Sequence, residues 1–162
     1  MKFDQRPMAQ VGAECTSEFD TYYGVKRLSA DLRQAKKAWL KYQSTRGDDA
    51  VYGYLAAIFE VMLRWLESPV SDDAFVTKLA QYKIIPERLK REPGAVLIYC
   101  TSDARIVTKQ TRGKWAHTLL YALVNISDDD TLESFIKRNG GINACAELYA
   151  DTIGDWAYGP GW

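Results

Sequence analysis

The sequence predicts a mainly α-helical protein, a single compact domain of six or seven helices with little or no sheet. Three observations lead to this class. Apolar residues recur at intervals of three and four, the period of an amphipathic helix, along most of the chain. Short breaks at glycine, proline or Ser-Asp separate these segments. Hydrophobic residues make up 47% of the 162 residues, enough for one core.

The first half of the chain predicts an arm and then two long helices. Residues 1–23 contain Pro7 and lack a sustained period, so we expect an N-terminal arm, followed by a helical domain over residues 24–155. Val25 to Ser44 has an apolar stripe and a basic outer face. Val51 to Leu66 is apolar nearly all round and predicts the central buried helix.

The middle of the chain predicts shorter elements. Ser71 is a suitable N-cap for a helix from Asp73 to Tyr82. Pro86 suits the first turn of a helix over Glu87 to Arg91. Ala95 to Cys100 is apolar throughout, and six residues are too few to distinguish a strand from a helix. Because no partner strand is evident, we favour helix or irregular structure there.

Three helices are expected towards the C-terminus. Thr108 or Thr111 is available to cap an apolar helix that extends to about residue 123. Acidic residues favour a helix from about Asp129 to Asn139, because they suit the positive end of its dipole. Gly140-Gly141 permits the positive φ of a C-cap, and Ile142 to Ile153 then restarts as a helix.

Residues 156–162 form a separate aromatic tail in the sequence, within the segment DWAYGPGW. Its glycines and proline exclude a helix. Tryptophan and tyrosine dominate the energies of many interfaces, so the tail is a candidate anchor for a protein partner. The alternative is that the same rings cover the protein's own core. The residues concerned are Trp156, Tyr158 and Trp162.

The charge balance hides a local asymmetry. Lysine plus arginine equals aspartate plus glutamate at 21 each, so the net charge attracts neither nucleic acid nor a membrane. Basic residues nevertheless outnumber acidic ones from Val25 to Arg46 and from Lys78 to His117, and the reverse holds from Ile126 to Trp156. Either the basic segments form a binding surface or they are solvated helix faces that the acidic segment neutralises.

No enzyme signature occurs in the chain, and we therefore predict a non-enzymatic protein without a cofactor or metal. The P-loop, GxGxxG, GxSxG and HExxH patterns are all absent. His117 is the only histidine, and a dyad with Cys100 has no supporting motif around either residue. Asp128 to Asp130 lacks the glycine and glutamate of a calcium loop, and a helix start already explains it.

Cysteine usage and the N-terminus predict a cytoplasmic protein with no membrane segment. The three cysteines form no CxxC pair, so neither a disulfide framework nor a zinc site is indicated. The first residues contain no apolar signal region. The uncharged run from Ala50 to Phe59 is too short to span a bilayer.

The stretch FIKRNGGINACAELYA, residues 135–150, has two interpretations. A Gly-Gly turn between helices occurs in DNA-reading helix-turn-helix motifs, and the stretch looks like the first part of the Fis-type version. In that type the reading helix comes one element later, where this chain has glycine, proline and acids. If the helix after the turn were the reader, its charges Glu147 and Asp151 would repel phosphate. We therefore favour two packed helices.

A better nucleic-acid candidate lies upstream, in TKQTRGKWAHTLLYAL, residues 108–123. It places polar and basic groups at the front of a helix whose later turns are apolar, as a recognition helix requires. The alternative is an ordinary polar helix start, although three cations there oppose the dipole. The candidate DNA contacts are Lys109, Gln110, Arg112 and Lys114, with Lys36, Lys37 and Lys41 of the first basic helix as additional phosphate contacts.

KQTRGKWAHTLLYAL followed by FIKRNGGINACAELYA resembles the C-terminal half of a family of uncharacterised proteins of bacterial plasmids and mobile elements. The resemblance covers about a third of the chain and implies no activity, ligand or catalytic residue. It implies a mobile-element context. We therefore expect a cytoplasmic, non-enzymatic protein that binds DNA or regulates a DNA-bound complex. The alternative is a protein-interaction module, an inhibitor or adaptor without nucleic-acid binding, and the sequence leaves a homodimer open.

Overall fold

The computed structural model describes residues 8–153, and the side chains of residues 18–85 and 87–152 within them. This part of the chain is all-α and contains no strand. A 3-10 turn at Ala80–Tyr82 follows the third helix. The eight helices are α1 (Met8–Ser44), α2 (Ala50–Glu67), α3 (Asp72–Leu79), α4 (Pro86–Arg91), α5 (Pro93–Thr101), α6 (Lys109–Asn125), α7 (Leu132–Arg138) and α8 (Ile142–Ile153).

The predicted fold class is confirmed, with one helix more than expected. The additional helix is α5, which includes the Ala95–Cys100 segment and is buried except at Tyr99 and Cys100. Pro93 occupies the first turn of α5, where its missing N–H costs nothing. None of the helices in the described part of the chain is long and apolar enough to cross a membrane.

The predicted N-terminal arm is the main difference from the sequence interpretation. Helix α1 begins at Met8, so residues 8–23 are helical, and residues 1–7 lie outside the described range. Gly24 does not break the helix, because it is buried where α1 meets the start of α3. A Cβ at Gly24 would lie 2.6 Å from Val70 Cγ1 and 2.7 Å from Ala74 Cβ. Close approach, rather than a turn, explains this glycine.

Helices α1 and α2 pack antiparallel through a buried polar contact. Asp31 is 6% exposed; its carboxylate accepts a hydrogen bond from Trp65 Nε1 at 2.8 Å and from Arg64 Nη2 at 2.8 Å. At the other end of the pair, the rings of Trp39 and Tyr54 lie 5.3 Å apart. The carboxylate thereby fixes the register of two helices that apolar contacts alone leave free to slide.

The core continues from α2 to α5 and α6. Tyr54 and Thr101 share a hydrogen bond of 2.7 Å between their hydroxyl groups, and burial raises the pKa of Tyr54. Trp115 of α6 packs edge-on against Tyr54 at 5.8 Å. Gly94 of α5 leaves room for Leu119 of α6, whose Cδ1 would lie 3.2 Å from an added Cβ. These contacts fix α6 against the centre of the molecule.

The C-terminal helices begin and end as local chemistry predicts, except that α7 starts three residues later than expected. Thr131, rather than an acidic residue, caps α7 by accepting a hydrogen bond from the Ser134 backbone N–H. Asp130 instead forms an ion pair with Arg138 at the other end of α7. Gly140 and Gly141 have φ values of +93° and +96°, so the predicted Gly-Gly turn is confirmed.

Candidate functional site

The N-terminal end of α6 carries the polar groups that the sequence indicated. Thr108 caps the helix, because its hydroxyl accepts a hydrogen bond from the Thr111 backbone N–H at 3.2 Å. The first turn contains no acidic residue, and Lys109, Gln110 and Lys114 are exposed. Backbone N–H groups of the first turn and positive side chains therefore share one end of the helix, an arrangement that attracts anions.

These side chains line the wall of a cavity between α5, α6 and α8. The cavity has a volume of about 570 Å³, within the range of small-molecule sites. Its apolar surface comes mainly from small side chains, which leave the space between the helices unfilled. The apolar lining residues are four alanines and one leucine: Ala95 of α5, Ala116 and Leu120 of α6, and Ala146 and Ala150 of α8. All four predicted contacts of α6, Lys109, Gln110, Arg112 and Lys114, lie on this cavity.

Arg112 is the most unusual of these residues. Its guanidinium lies over the ring of Tyr99, 5.8 Å from the centroid, in cation–π geometry. Its Nε is buried and has no hydrogen-bond partner within the part of the chain that the structure describes. Buried donors are nearly always satisfied in proteins, so this N–H is an exception within the described part of the chain.

Lys114 connects the two helices that form the opposite walls. Its Nζ donates a hydrogen bond of 3.0 Å to the side-chain oxygen of Asn143, in the first turn of α8. Nearby, Thr118 Oγ1 donates to the Ile142 carbonyl oxygen at 3.0 Å. The cations of the cavity therefore have separate neighbours: Arg112 lies beside Tyr99 of α5, and Lys114 lies beside the start of α8.

Acidic side chains also line the cavity. Glu92 precedes α5, seven residues before Tyr99, and its charge acts on both His117 and Tyr149. Burial lowers the pKa of His117, and the charge of Glu92 partly offsets this effect. His117 is therefore neutral at pH 7. Its ring lies 5.2 Å from that of Tyr149. The cavity wall thus carries the carboxylates of Glu92 and Glu147 as well as the cations of α6.

The hypothetical Cys100–His117 dyad is not assembled. His117 lines the cavity and Cys100 does not. Burial raises the pKa of the Cys100 thiol to about 12, so the sulfur stays protonated at neutral pH and is a poor nucleophile. Among the described residues, no group of three or more histidine, cysteine, aspartate or glutamate side chains is placed to hold a metal ion.

The three predicted lysines of α1 lie elsewhere and are divided between two faces. Lys36 Nζ donates a hydrogen bond of 2.8 Å to the Thr101 carbonyl oxygen and so ties α1 to the end of α5. Lys37 and Lys41 are exposed, one helical turn apart, and form no ion pair within residues 18–152. None of the three lines the cavity. The structure thus separates the α1 lysines from the four side chains of α6.

The Gly-Gly stretch and the aromatic tail are the other two candidates that the sequence indicated. The Gly-Gly turn joins α7 to α8, and α8 packs along α6 with Cys145 and Ala146 buried. The favoured interpretation of that stretch as two packed helices agrees with this arrangement. Trp156, Tyr158 and Trp162 of the predicted tail lie outside the described residues.

Sequence reasoning identified the cationic wall but missed the cavity. Tyr99, Ala146 and Ala150 were not singled out, and the alanine-rich segment of α8 was the available signal. That signal is ambiguous, because small residues on a helix favour close packing as readily as they leave a space. Comparison with known proteins adds no assignment: no family model, curated protein or solved structure matches the chain.

Proposed function

We propose that the protein is a non-enzymatic DNA-binding protein, or a regulator of a DNA-bound complex, whose main contact surface is the N-terminal end of α6. The observation that carries the proposal is the arrangement of four polar or basic side chains around one helix start whose cap leaves backbone N–H groups pointing outwards. Helix starts of this kind contact phosphate, and arginine and glutamine are suited to base edges.

The distribution of ion pairs supports the same proposal. Carboxylates of the described residues pair with Arg64, Lys90, Arg105, Lys137 and Arg138. Arg112 and Lys114 are not among these cations. Arg112 lies over the ring of Tyr99 and Lys114 donates to the side-chain amide of Asn143, and neither partner neutralises a charge. Positive charge is therefore left over at α6, although the chain is neutral in total.

Lys37 and Lys41 would act as additional phosphate contacts, on a different part of the molecule. Their exposure and spacing on α1 suit a backbone contact without sequence reading. The mobile-element context implied by the sequence resemblance agrees with a DNA-associated role and remains an expectation.

The proposal is tested with a double variant and a matched control. Arg112→Ala with Lys114→Ala removes two charges at α6, whereas Lys90→Ala with Arg105→Ala removes two exposed, ion-paired charges elsewhere. In a gel-shift titration of random duplex DNA at low salt, we expect the first variant to bind at least tenfold more weakly than the wild type. The control should stay within threefold of wild type. Equal binding by both variants would remove α6 from the interface.

A second candidate, a protein-interaction module without nucleic-acid binding, is favoured by an aromatic cluster on α1. Phe19, Tyr22 and Tyr23 are 60%, 55% and 53% exposed, and the rings of Phe19 and Tyr23 lie 4.4 Å apart. Exposed aromatic groups of this kind are typical of interface centres. A second copy of the chain is the simplest partner to test: sedimentation equilibrium should show a dimer that Tyr22→Ser with Tyr23→Ser dissociates. A monomer at all concentrations would exclude self-association through this cluster.

A further inference from the structure

We infer that the cavity between α5, α6 and α8 binds an amphipathic anion, a molecule with an elongated apolar body and a carboxylate at one end. The carboxylate would lie at Arg112 and Lys114, and the apolar body would lie along the alanine-lined walls towards His117. This inference gives Arg112 and Lys114, which are also the proposed DNA contacts, a second ligand, and it is tested in the absence of DNA.

The apolar surface and the length of the cavity determine the class of ligand. The surface inside it is mainly apolar, which favours a hydrocarbon or aromatic body over a sugar or a nucleotide. Its length is estimated from Glu92, which precedes α5, and Tyr99 of α5, which both line the cavity. Seven residues at 1.5 Å each give about 10 Å, the length of a medium-chain fatty acid.

The charges orient that ligand. Arg112 lines the cavity and pairs with no carboxylate of the described residues, and a carboxylate is the acceptor that a guanidinium binds most strongly. Glu92 at the far end and Glu147 on the α8 wall disfavour a second anionic group. A monoanion therefore suits the cavity better than a dicarboxylate. His117 is neutral, so the far end accepts an apolar or weakly polar terminus.

The experiment compares probes that differ only in the charged group. Decanoate, decanol and decylamine are titrated into the full chain by calorimetry, below their micellar concentrations. We expect decanoate to bind with one-to-one stoichiometry and at least tenfold more tightly than decanol, with decylamine weakest. Equal affinity for decanoate and decanol would overturn the inference, since it would mean that the cations do not contribute.

Two variants and a control place the site. Arg112→Met should lower the affinity for decanoate at least tenfold and leave that for decanol within threefold. Ala150→Trp should abolish binding of both by filling the cavity, and the circular dichroism spectrum shows whether the variant is folded. Arg105→Met, a fully exposed arginine outside the cavity, should bind like the wild type. Unchanged decanoate affinity in folded Arg112→Met would contradict the inference.

A further titration tests whether the chain's own C-terminal tail, rather than an external ligand, occupies the cavity. If the full chain does not bind decanoate and a chain ending at Ile153 does, the cavity of the intact protein is closed to an external ligand and the inference is wrong. Equal decanoate binding by both forms supports it. Because no DNA is present in these titrations, their failure leaves the proposed DNA contact to its own test.

Discussion

Two single residues have distinct effects: Asp31 fixes the register of α1 against α2, and His117 makes the stability depend on pH. Asp31 is the clearest case, because a carboxylate that is almost fully buried is costly unless its hydrogen bonds are made. It accepts hydrogen bonds from both Arg64 and Trp65, and these lie on the helix that packs against its own. The residue thus contributes more to the specificity of the α1–α2 contact than its size indicates.

We predict that Asp31→Ala lowers the free energy of unfolding by about 2–3 kcal/mol, because the indole N–H of Trp65 then stays buried without an acceptor. Urea denaturation followed by circular dichroism measures this. Asp128→Ala is the matched control: an exposed carboxylate between α6 and α7, whose removal should change the stability by less than about 0.5 kcal/mol. A loss at Asp31 no larger than at Asp128 would show that the buried contact contributes little.

His117 gives a pH dependence whose sign follows from its environment. Its pKa is lowered in the folded state, chiefly by burial, so the unfolded chain takes up a proton at a higher pH than the folded chain does. The contribution of uncharged His117 to the free energy of unfolding is therefore fully present above the ordinary histidine pKa of about 6.5. It is lost as the pH falls below that value.

We therefore predict that the wild type loses more stability between pH 7.5 and pH 5.5 than His117→Gln does. Urea denaturation at both pH values measures the difference, and carboxylates titrate mainly below this window. If the two proteins lose the same amount, His117 is not desolvated in the folded state.

At the scale of helices, glycine has two opposite roles in this chain. Gly24 lies in α1 at a close approach to Val70 and Ala74, whereas Gly53 lies on the exposed side of α2 with no atom within 4 Å of an added Cβ. Both are interior helix positions, where alanine is favoured by about 1 kcal/mol over glycine. Only their surroundings differ.

We predict that Gly53→Ala raises the free energy of unfolding by up to about 1 kcal/mol, and that Gly24→Ala lowers it by about 1–2 kcal/mol, because the added methyl group forces α1 away from Val70 and Ala74. The pair is measured by thermal and urea denaturation. A stabilising Gly24→Ala would mean that α1 is not held against this part of the chain.

Sequence predicts helix ends better than it predicts the packing of helices. Ser71, Thr108 and Gly140-Gly141 act as predicted because a cap depends on only a few neighbouring residues. The arm predicted over residues 1–23 is helical from Met8 onwards, and the sequence does not show that Gly24 lies at a close approach to Val70 and Ala74. Similarly, Pro93 indicates an end or a start equally well by itself.

The candidate site shows the same limit more strongly. The cationic start of α6 could be predicted, because Lys109 to Lys114 are consecutive and follow a cap. The cavity could not, since its walls come from α5, α6 and α8, and its size depends on the distance between them. The separation of Lys37 and Lys41 from α6 is likewise a property of packing.

At the scale of the whole molecule, a neutral total charge coexists with an uneven distribution. The acidic residues near α7 pair with Lys137 and Arg138, and Asp49 also reaches Lys137. The acidic end of the chain therefore neutralises itself in part, and within residues 18–152 no carboxylate forms an ion pair with Arg112 or Lys114 of α6. This distribution is the physical basis for proposing a DNA contact by a protein with no net charge.

The dependence of DNA binding on salt tests that claim most directly. Each neutralised phosphate contributes about −0.9 to the slope of log K against log salt. For random duplex DNA we predict a steep negative slope for the wild type, and a slope shallower by roughly two for Arg112→Ala with Lys114→Ala, because two phosphate contacts are lost. An identical slope in both proteins, or no binding by the wild type at low salt, would contradict the account.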